Sequence, residues 1–158
     1  MNDGKKLPLR IGVGIILINH ENKIFVGKRI DNPKNYWQMP QGGVDVNENP
    51  FEAAKRELAE ETSIKSVKLI KELDQWLEYD LPKNLLGKIW KGKYRGQKQK
   101  WFVLKFLGKK EEINVKTKNP EFLDWKWIHS SELSNIAVDF KIDMYRLIEK
   151  ELISLQIN

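Results

Sequence analysis

The sequence predicts an α/β domain in which a mixed β-sheet is covered by helices. Three observations carry that expectation: a Gly-punctuated apolar run at 9–19 followed by a second strand-like run at 23–29, a well-capped helix after Asn49, and an amphipathic stripe near the C-terminus. Strand-like segments thus stand before, between and after two main helices.

Each element has its own signal. LRIGVGIILIN and KIFVGKR read as two strands joined by the polar turn His20-Glu21-Asn22, a hairpin. Asn49 suits an N-cap, Pro50 the first helical position, and Glu52 the place from which a capping-box acid reaches back. That helix should run from about Pro50 to Thr62, with Phe51, Ala54 and Leu58 as its buried stripe. SVKLIKELDQWLEYD (66–80) has strand character in parts and leads into a polar, Gly-containing loop at 81–97. KWFVLKFL (100–107) and EFLDWKWIH (121–129) are strand candidates, and SSEL opens a short helix with a serine cap. From about 139 to 155, Ile142, Tyr145, Ile148, Leu152 and Leu155 share one helical face.

Composition narrows the function classes. A chain of 158 residues without repeats or linker-like tracts suits one domain, expected to span 1–158. Six Trp, six Phe and four Tyr argue against disorder although 32% of the residues are charged. The absence of cysteine excludes disulfide frameworks, thiolate catalysis and thiolate metal sites, and fits a reducing, cytoplasmic location. Lys5 and Lys6 precede the first apolar run, but that run is Gly-punctuated and lacks a small-residue cleavage site, so it reads as a buried strand. No stretch approaches the roughly 18 apolar residues of a membrane span. Oligomeric state is left open.

The formal net charge is +6, unevenly placed: 88–110 holds nine Lys or Arg and no acid, whereas 45–61 holds six acids against two bases. A basic surface concentrates polyanions, and a concentrated acidic site needs cations to work beside them. The pairing suggests a phosphate-rich substrate handled through a metal.

The acids converge on RELAEETSI (56–64). On a helix Glu57, Glu60 and Glu61 can project toward one side, where like charges repel by a few tenths of a kcal/mol per pair. Arg56 can pair with Glu60, but one guanidinium cannot neutralise three carboxylates. A solvated face is the ordinary outcome for such a charge run. A hard cation such as Mg²⁺ would instead use these oxygens as ligands and leave part of its shell to phosphate.

Gly42, Glu48, Arg56, Glu57, Leu58, Glu60, Glu61 and Ile64 follow the pattern G-x5-E-x7-R-E-U-x-E-E-x-G-U, U being a bulky aliphatic residue, and so resemble the Nudix box. Ser63 stands where the pattern has Gly; a left-handed helix end there would cost a non-Gly residue roughly 1 kcal/mol or more. WQMPQGG (37–43), YDLP (79–82), GQKQKWF (96–102), PEF (120–122) and DFKIDMY (139–145) extend the likeness to the bacterial RNA pyrophosphohydrolases, a subgroup that overlaps with dinucleoside polyphosphate hydrolases.

The resemblance implies a Nudix α/β/α sandwich and attack of water on a polyphosphate, dependent on Mg²⁺, with Mn²⁺ or another divalent cation as alternatives. The substrate would be 5′-triphosphorylated RNA, converted to a monophosphate end and so committed to decay, or a dinucleoside polyphosphate. Glu57, Glu60 and Glu61 would be metal ligands, with the Gly42 carbonyl as an additional one. Arg56 would orient a glutamate, Glu48 would support the helix start, and Glu121 would join the metal site or act as base. The base is open among Glu60, Glu61 and Glu121, with Glu60 or Glu121 favoured. Arg29, Gln97, Val138, Phe140 and Lys141 match positions that contact the 5′ nucleotides, Phe140 by stacking and Arg29 and Lys141 through phosphates. Arg10, Tyr79 and Lys100 are further candidates for the polyphosphate pocket.

Apart from the resemblance, Glu121 would be a surface acid at a strand start and Phe140 a hydrophobic staple. GKIWKGKYRGQKQKWF (87–102) interleaves cations with aromatic rings, the composition of single-strand nucleic-acid contact. At least one of Trp101 and Phe102 should nevertheless be core. His20 and His129 receive no role. Two other classes compete: a non-catalytic nucleotide or RNA sensor on the same scaffold, and a basic RNA-binding protein whose acidic helix is only surface.

Overall fold

The computed structural model describes residues 7–31 and 34–157; Lys5 and Lys6 lie outside that range. The strands are β1 (Leu9–Ile18), β2 (Ile24–Arg29), β3 (Trp37–Gln38), β4 (Gln41–Gly43), β5 (Val67–Glu72), β6 (Leu77–Asp80), β7 (Gly96–Phe106) and β8 (Phe122–Ile128). The helices are α1 (Pro50–Thr62), α2 (Leu133–Ile136) and α3 (Ile142–Ser154). β1 runs parallel to β7 along its whole length, from Leu9 opposite Gly96 to Ile18 opposite Lys105. It is antiparallel to β4 in its middle and to β2 at its end. β2 continues the sheet to β3 and β8, and β7 carries β5 and β6, so the sheet is mixed.

Strand alternation sorts the core into two layers. Val13, Ile15 and Leu17 of β1, with Phe102 and Leu104 of β7, pack under Ala53, Ala54 and Leu58 of α1. Ile16, Ile18, Trp101 and Val103 point the other way, against Met144, Tyr145, Ile148 and Leu152 of α3. Both faces are covered, which explains why β1 is nearly continuously apolar. Each fully buried aliphatic such as Leu58 contributes about 1.5–3 kcal/mol. The expected α/β/α sandwich is therefore present.

The expected hairpin closes through Asn19, whose Oδ1 accepts from the N–H groups of Glu21 and Lys23, with Asn22 at φ 61°. β1 and β2 meet only at Ile18 and Ile24 and then diverge, because β4 and β7 take most of the edges of β1. Helix α1 has the expected bounds and its Asn49 cap: Oδ1 accepts from Glu52 N at 2.9 Å. Glu52 pairs with Lys55 at 3.3 Å, so the capping box is one-sided. The 66–80 segment splits into β5 and β6, both on β7.

Two expectations need correction. Gly96 and Gln97 belong to β7, not to the loop; β1 and β6 pair with this stretch from both sides, and its polar alternation hid the strand. The turn at 130–132 is capped by the His129 ring, which accepts from Ser131 N, and not by a serine. No helix among the described residues is long and apolar enough to cross a membrane.

Candidate active site

The glycine strand β4 and the glutamate helix α1 meet at Gly42. A methyl group on Gly42 would collide with the Glu57 carboxylate, so glycine is needed for the helix acid to lie on the strand. Glu57 and Glu61 follow each other on the inner side of α1, their accessibility reduced to 16% of the side chain and 5% of the residue respectively. Glu60 diverges: its side chain is 58% exposed, and it borders an open hollow of about 460 Å³ with Ser63 and Thr117. The three glutamates thus share a helix without sharing one environment.

Arg56 holds this acidic group together. Its Nε and Nη2 donate to the two oxygens of Glu48 at 2.8 and 2.9 Å, a bidentate pair. Nη1 donates to Glu57 Oε1 at 2.9 Å and to Glu60 Oε2 at 3.2 Å, while Nη2 also reaches the Gly43 carbonyl at 2.9 Å. The guanidinium pulls the Glu48 carboxyl down to about 2, assisted by the Asp45 N–H. Glu57 is pushed up by burial, with Arg56 opposing.

Glu61 carries the sharpest signal. Burial, then the charges of Glu57 and Glu121, raise its carboxyl well above the usual range, with partial relief from the Gln41 N–H. Its Oε2 is buried without a hydrogen-bond partner among the described residues. An ionised carboxylate there needs a cation, so the donor set fits a hard divalent ion. Among the described residues no three acidic or histidine side chains form a closed ligand set by themselves. Glu121, exposed just before β8, sits beside Arg29 through the Ile30 N–H bond to its carbonyl, and its charge is felt at both Glu61 and Arg29.

On the other face of β4 the charges are positive. Lys141 is 4% exposed and donates to Gln38 Oε1 at 3.1 Å and Gln41 Oε1 at 3.2 Å, with no carboxylate partner among the described residues. Burial, then repulsion from Arg29, lowers its ammonium to about 7. Its Nζ lies 5.4 Å from the Tyr79 ring centre, and Phe140 is tilted against Tyr79 at 5.6 Å. The Tyr79 hydroxyl accepts from Gln97 Nε2 at 2.7 Å, and Gln97 Oε1 accepts from Arg10 Nη1 at 3.3 Å. Arg29 is held by Asp31 through two bonds of 2.8 and 2.6 Å. Val138 is half-buried at the start of the turn that presents Phe140 and Lys141.

Lys100 stands apart. Its ammonium donates to the Asp74 carbonyl at 3.0 Å and pairs with Glu72 at 3.5 Å, so it ties down the β5–β6 turn instead of joining the other cations. Its side chain leaves β7 on the opposite face from Gln97, because strand residues three apart diverge. Sequence reasoning missed Asp31, Gln38 and Gln41, which hold Arg29 and Lys141. Their signal was local: Arg-x-Asp at a strand end, and two glutamines ahead of the Gly42–Gly43 pair within WQMPQGG.

Sheet, helix and site together define a class: an α/β/α sandwich that sets desolvated helix carboxylates next to uncompensated cations. The chain belongs to the NUDIX domain family, whose model matches residues 8–150. It is 60% identical over 153 residues to the RNA pyrophosphohydrolase of Pelagibacter ubique, covering 96% of this chain and 97% of that protein. It is 48% identical over 149 residues to the RNA pyrophosphohydrolase of Rickettsia bellii, covering 94% and 92%. Its fold is similar to the E. coli dihydroneopterin triphosphate pyrophosphohydrolase, at a TM-score of 0.71 and 19% identity over 92% of this chain and 99% of that one. The C. elegans Ap4A hydrolase is similar at a TM-score of 0.63 and 21% identity, covering 93% and 98%. Nudix hydrolases generally use divalent cations.

Proposed function

We propose that the protein is an RNA 5′-pyrophosphohydrolase that converts 5′-triphosphate RNA ends to monophosphate ends in the cytoplasm and so promotes RNA decay, with residues 1–158 forming one Nudix domain. The observation that carries the reading is the unpartnered, buried Glu61 carboxylate oxygen, with Arg29 and Lys141 close enough to act on Glu61 and Arg10 on Glu57. Near-full-length likeness to RNA pyrophosphohydrolases supports the choice of substrate.

Glu57, Glu61, the Gly42 carbonyl, and Glu60 or Glu121 would hold Mg²⁺. When bound, the ion neutralises charge developing on the phosphates and lowers the pKa of the attacking water. Arg56 keeps Glu57 aimed by anchoring it to Glu48. Arg29 and Lys141 bind the polyphosphate, Phe140 stacks on the first base, and Gln97 and Val138 border that nucleotide. Tyr79 fixes Gln97 through its hydroxyl. Glu60 and Glu121 are both exposed enough to accept the proton of water and release it to solvent.

Hydrolysis of dinucleoside polyphosphates is the second reading, favoured by a second cation–ring pair, Arg10 with Trp90, in addition to Lys141 with Phe140. Product analysis on end-labelled triphosphate RNA with Mg²⁺, run beside diadenosine tetraphosphate, distinguishes them. Pyrophosphate or stepwise phosphate release from RNA at the higher kcat/KM is expected. Far better turnover of diadenosine tetraphosphate would replace the RNA assignment, and binding of both without hydrolysis would reinstate the sensor. Glu57→Gln and Glu61→Gln should each cripple turnover; full activity in both would sink the metal assignment.

A further inference from the structure

We propose that Trp90 is a positioning residue: it holds the Arg10 guanidinium beside Gly43, so that Arg10 grips the polyphosphate together with Arg29 and Lys141. The inference rests on the polyphosphate reading above and adds a device that the Nudix box does not contain.

Arg10 is half-buried on β1, and its guanidinium carbon lies 5.4 Å from the centre of the Trp90 ring. Gly43 is close as well, and any side chain there would collide with the guanidinium. One nitrogen donates to Gln97, and among the described residues Arg10 makes no ion pair. A guanidinium fixed by a ring, a glycine and a neutral amide keeps its charge uncompensated for an incoming anion. That charge already acts on Glu57 and on Tyr79, which places it between the acidic side and the nucleotide side of the site.

The backbone under the ring is unusual. Trp90 has φ 52° and Lys91 φ 57°, two consecutive non-Gly residues in the left-handed region, followed by Gly92 at φ 71°. A bulky residue there is an outlier that persists only when its surroundings over-determine it. The turn is braced by Gly92 N–H to Ile89 O at 2.9 Å and Lys93 N–H to Trp90 O at 3.2 Å, and Tyr94 meets the Trp90 ring edge-on at 6.2 Å. Glycine at 90 would suit this backbone without strain. The ring is what glycine lacks, and the ring is what holds Arg10.

The test uses the full chain with Trp90→Gly, Trp90→Leu, Trp90→Phe, Arg10→Ala and the Trp90→Gly/Arg10→Ala pair. Thermal unfolding, kcat and KM on triphosphate RNA and diadenosine tetraphosphate, and calorimetric binding of inorganic tripolyphosphate are measured. Trp90→Gly should raise KM by roughly tenfold with a smaller effect on kcat and weaken tripolyphosphate binding in parallel, while lowering Tm modestly, because relief of the positive φ is offset by lost packing of the ring against the core. Trp90→Leu, which keeps apolar packing without a π face, should repeat the loss, and Trp90→Phe should restore most of it. In the Arg10→Ala background, Trp90→Gly should change nothing further. Wild-type KM and tripolyphosphate affinity in Trp90→Gly or Trp90→Leu would overturn the clamp, as would full additivity with Arg10→Ala. If the wild-type protein cleaves neither substrate, the hydrolase reading fails, and tripolyphosphate binding still decides the clamp.

Discussion

Replacing Glu61 with glutamine should stabilise the metal-free protein at alkaline pH while removing its stabilisation by Mg²⁺. Glu61 is 5% exposed and its Oε2 has no partner among the described residues. A buried unsatisfied polar atom costs about 1–3 kcal/mol, more if charged, and glutamine fills the same volume without the charge. For 158 residues the unfolding entropy is about 0.33 kcal/mol/K, so the variant should melt roughly 3–9 °C higher in chelator at pH 8. Burial raises the folded carboxyl above its unfolded value of 4.5, so in that window the folded state binds more protons than the unfolded one. Wild-type stability therefore falls as pH rises from 4.5 through the folded value, and the advantage of the variant vanishes below 4.5. Mg²⁺ at about 100 times its Kd should add about 2.7 kcal/mol, roughly 8 °C, to the wild type and little to the variant. Circular dichroism melts at pH 4 and pH 8, with chelator or Mg²⁺, supply the readout. A variant less stable than wild type at pH 8 in chelator would refute the uncompensated carboxylate, and an undiminished Mg²⁺ shift would refute its role as ligand.

Arg56→Ala should destabilise the fold by about 2–4 kcal/mol in urea unfolding, below the usual cost of breaking a buried pair because the guanidinium is 27% exposed. Ser63→Gly should gain less than about 1 kcal/mol in the same assay, since relief of φ 68° is offset by loss of the Ser63 Oγ bond to the Asn114 carbonyl at 2.8 Å. Lys141→Met should flatten a rise in stability between about pH 7 and 10.5, where the unfolded ammonium holds a proton that the buried one has lost; urea midpoints at pH 6.5 and 9 measure it.

The helix and its acids were legible because their signals are local. Asn49, Pro50 and a three-four apolar stripe specify α1, and fixed spacing specifies which residues face β4. The environments of the glutamates were not legible. Spacing put Glu57, Glu60 and Glu61 on one side, yet burial separates Glu60 from the other two, because Leu58 and Ala54 set how α1 rolls onto the sheet. The strand that carries Gln97 was hidden for a related reason: its segment is a strand by virtue of β1 and β6, which are distant in sequence, and has no apolar alternation of its own. Ser63 was expected to weaken the helix end. It does adopt the left-handed conformation, and Asn114 ties it on both sides by accepting from Ser63 Oγ and donating to the Thr62 carbonyl at 2.9 Å.

The three-residue strand β4 explains how opposite charges come close without cancelling. Gly42 lacks a side chain on the α1 face, and Glu57 fills that space; Gly43 lacks one on the other face, and Arg10 fills it. The backbone between them keeps the carboxylate and the guanidinium apart, and neither forms an ion pair with the other. A direct bridge would satisfy both groups and leave less charge for a cation on one side and a polyphosphate on the other. A residue larger than glycine at 42 or 43 would displace one charged group, so Gly42→Ala should weaken metal dependence and Gly43→Ala polyphosphate affinity. The two glycines of QGG thus act on opposite faces of one strand, and the lesions they cause should be separable by measuring Mg²⁺ and tripolyphosphate binding on each variant.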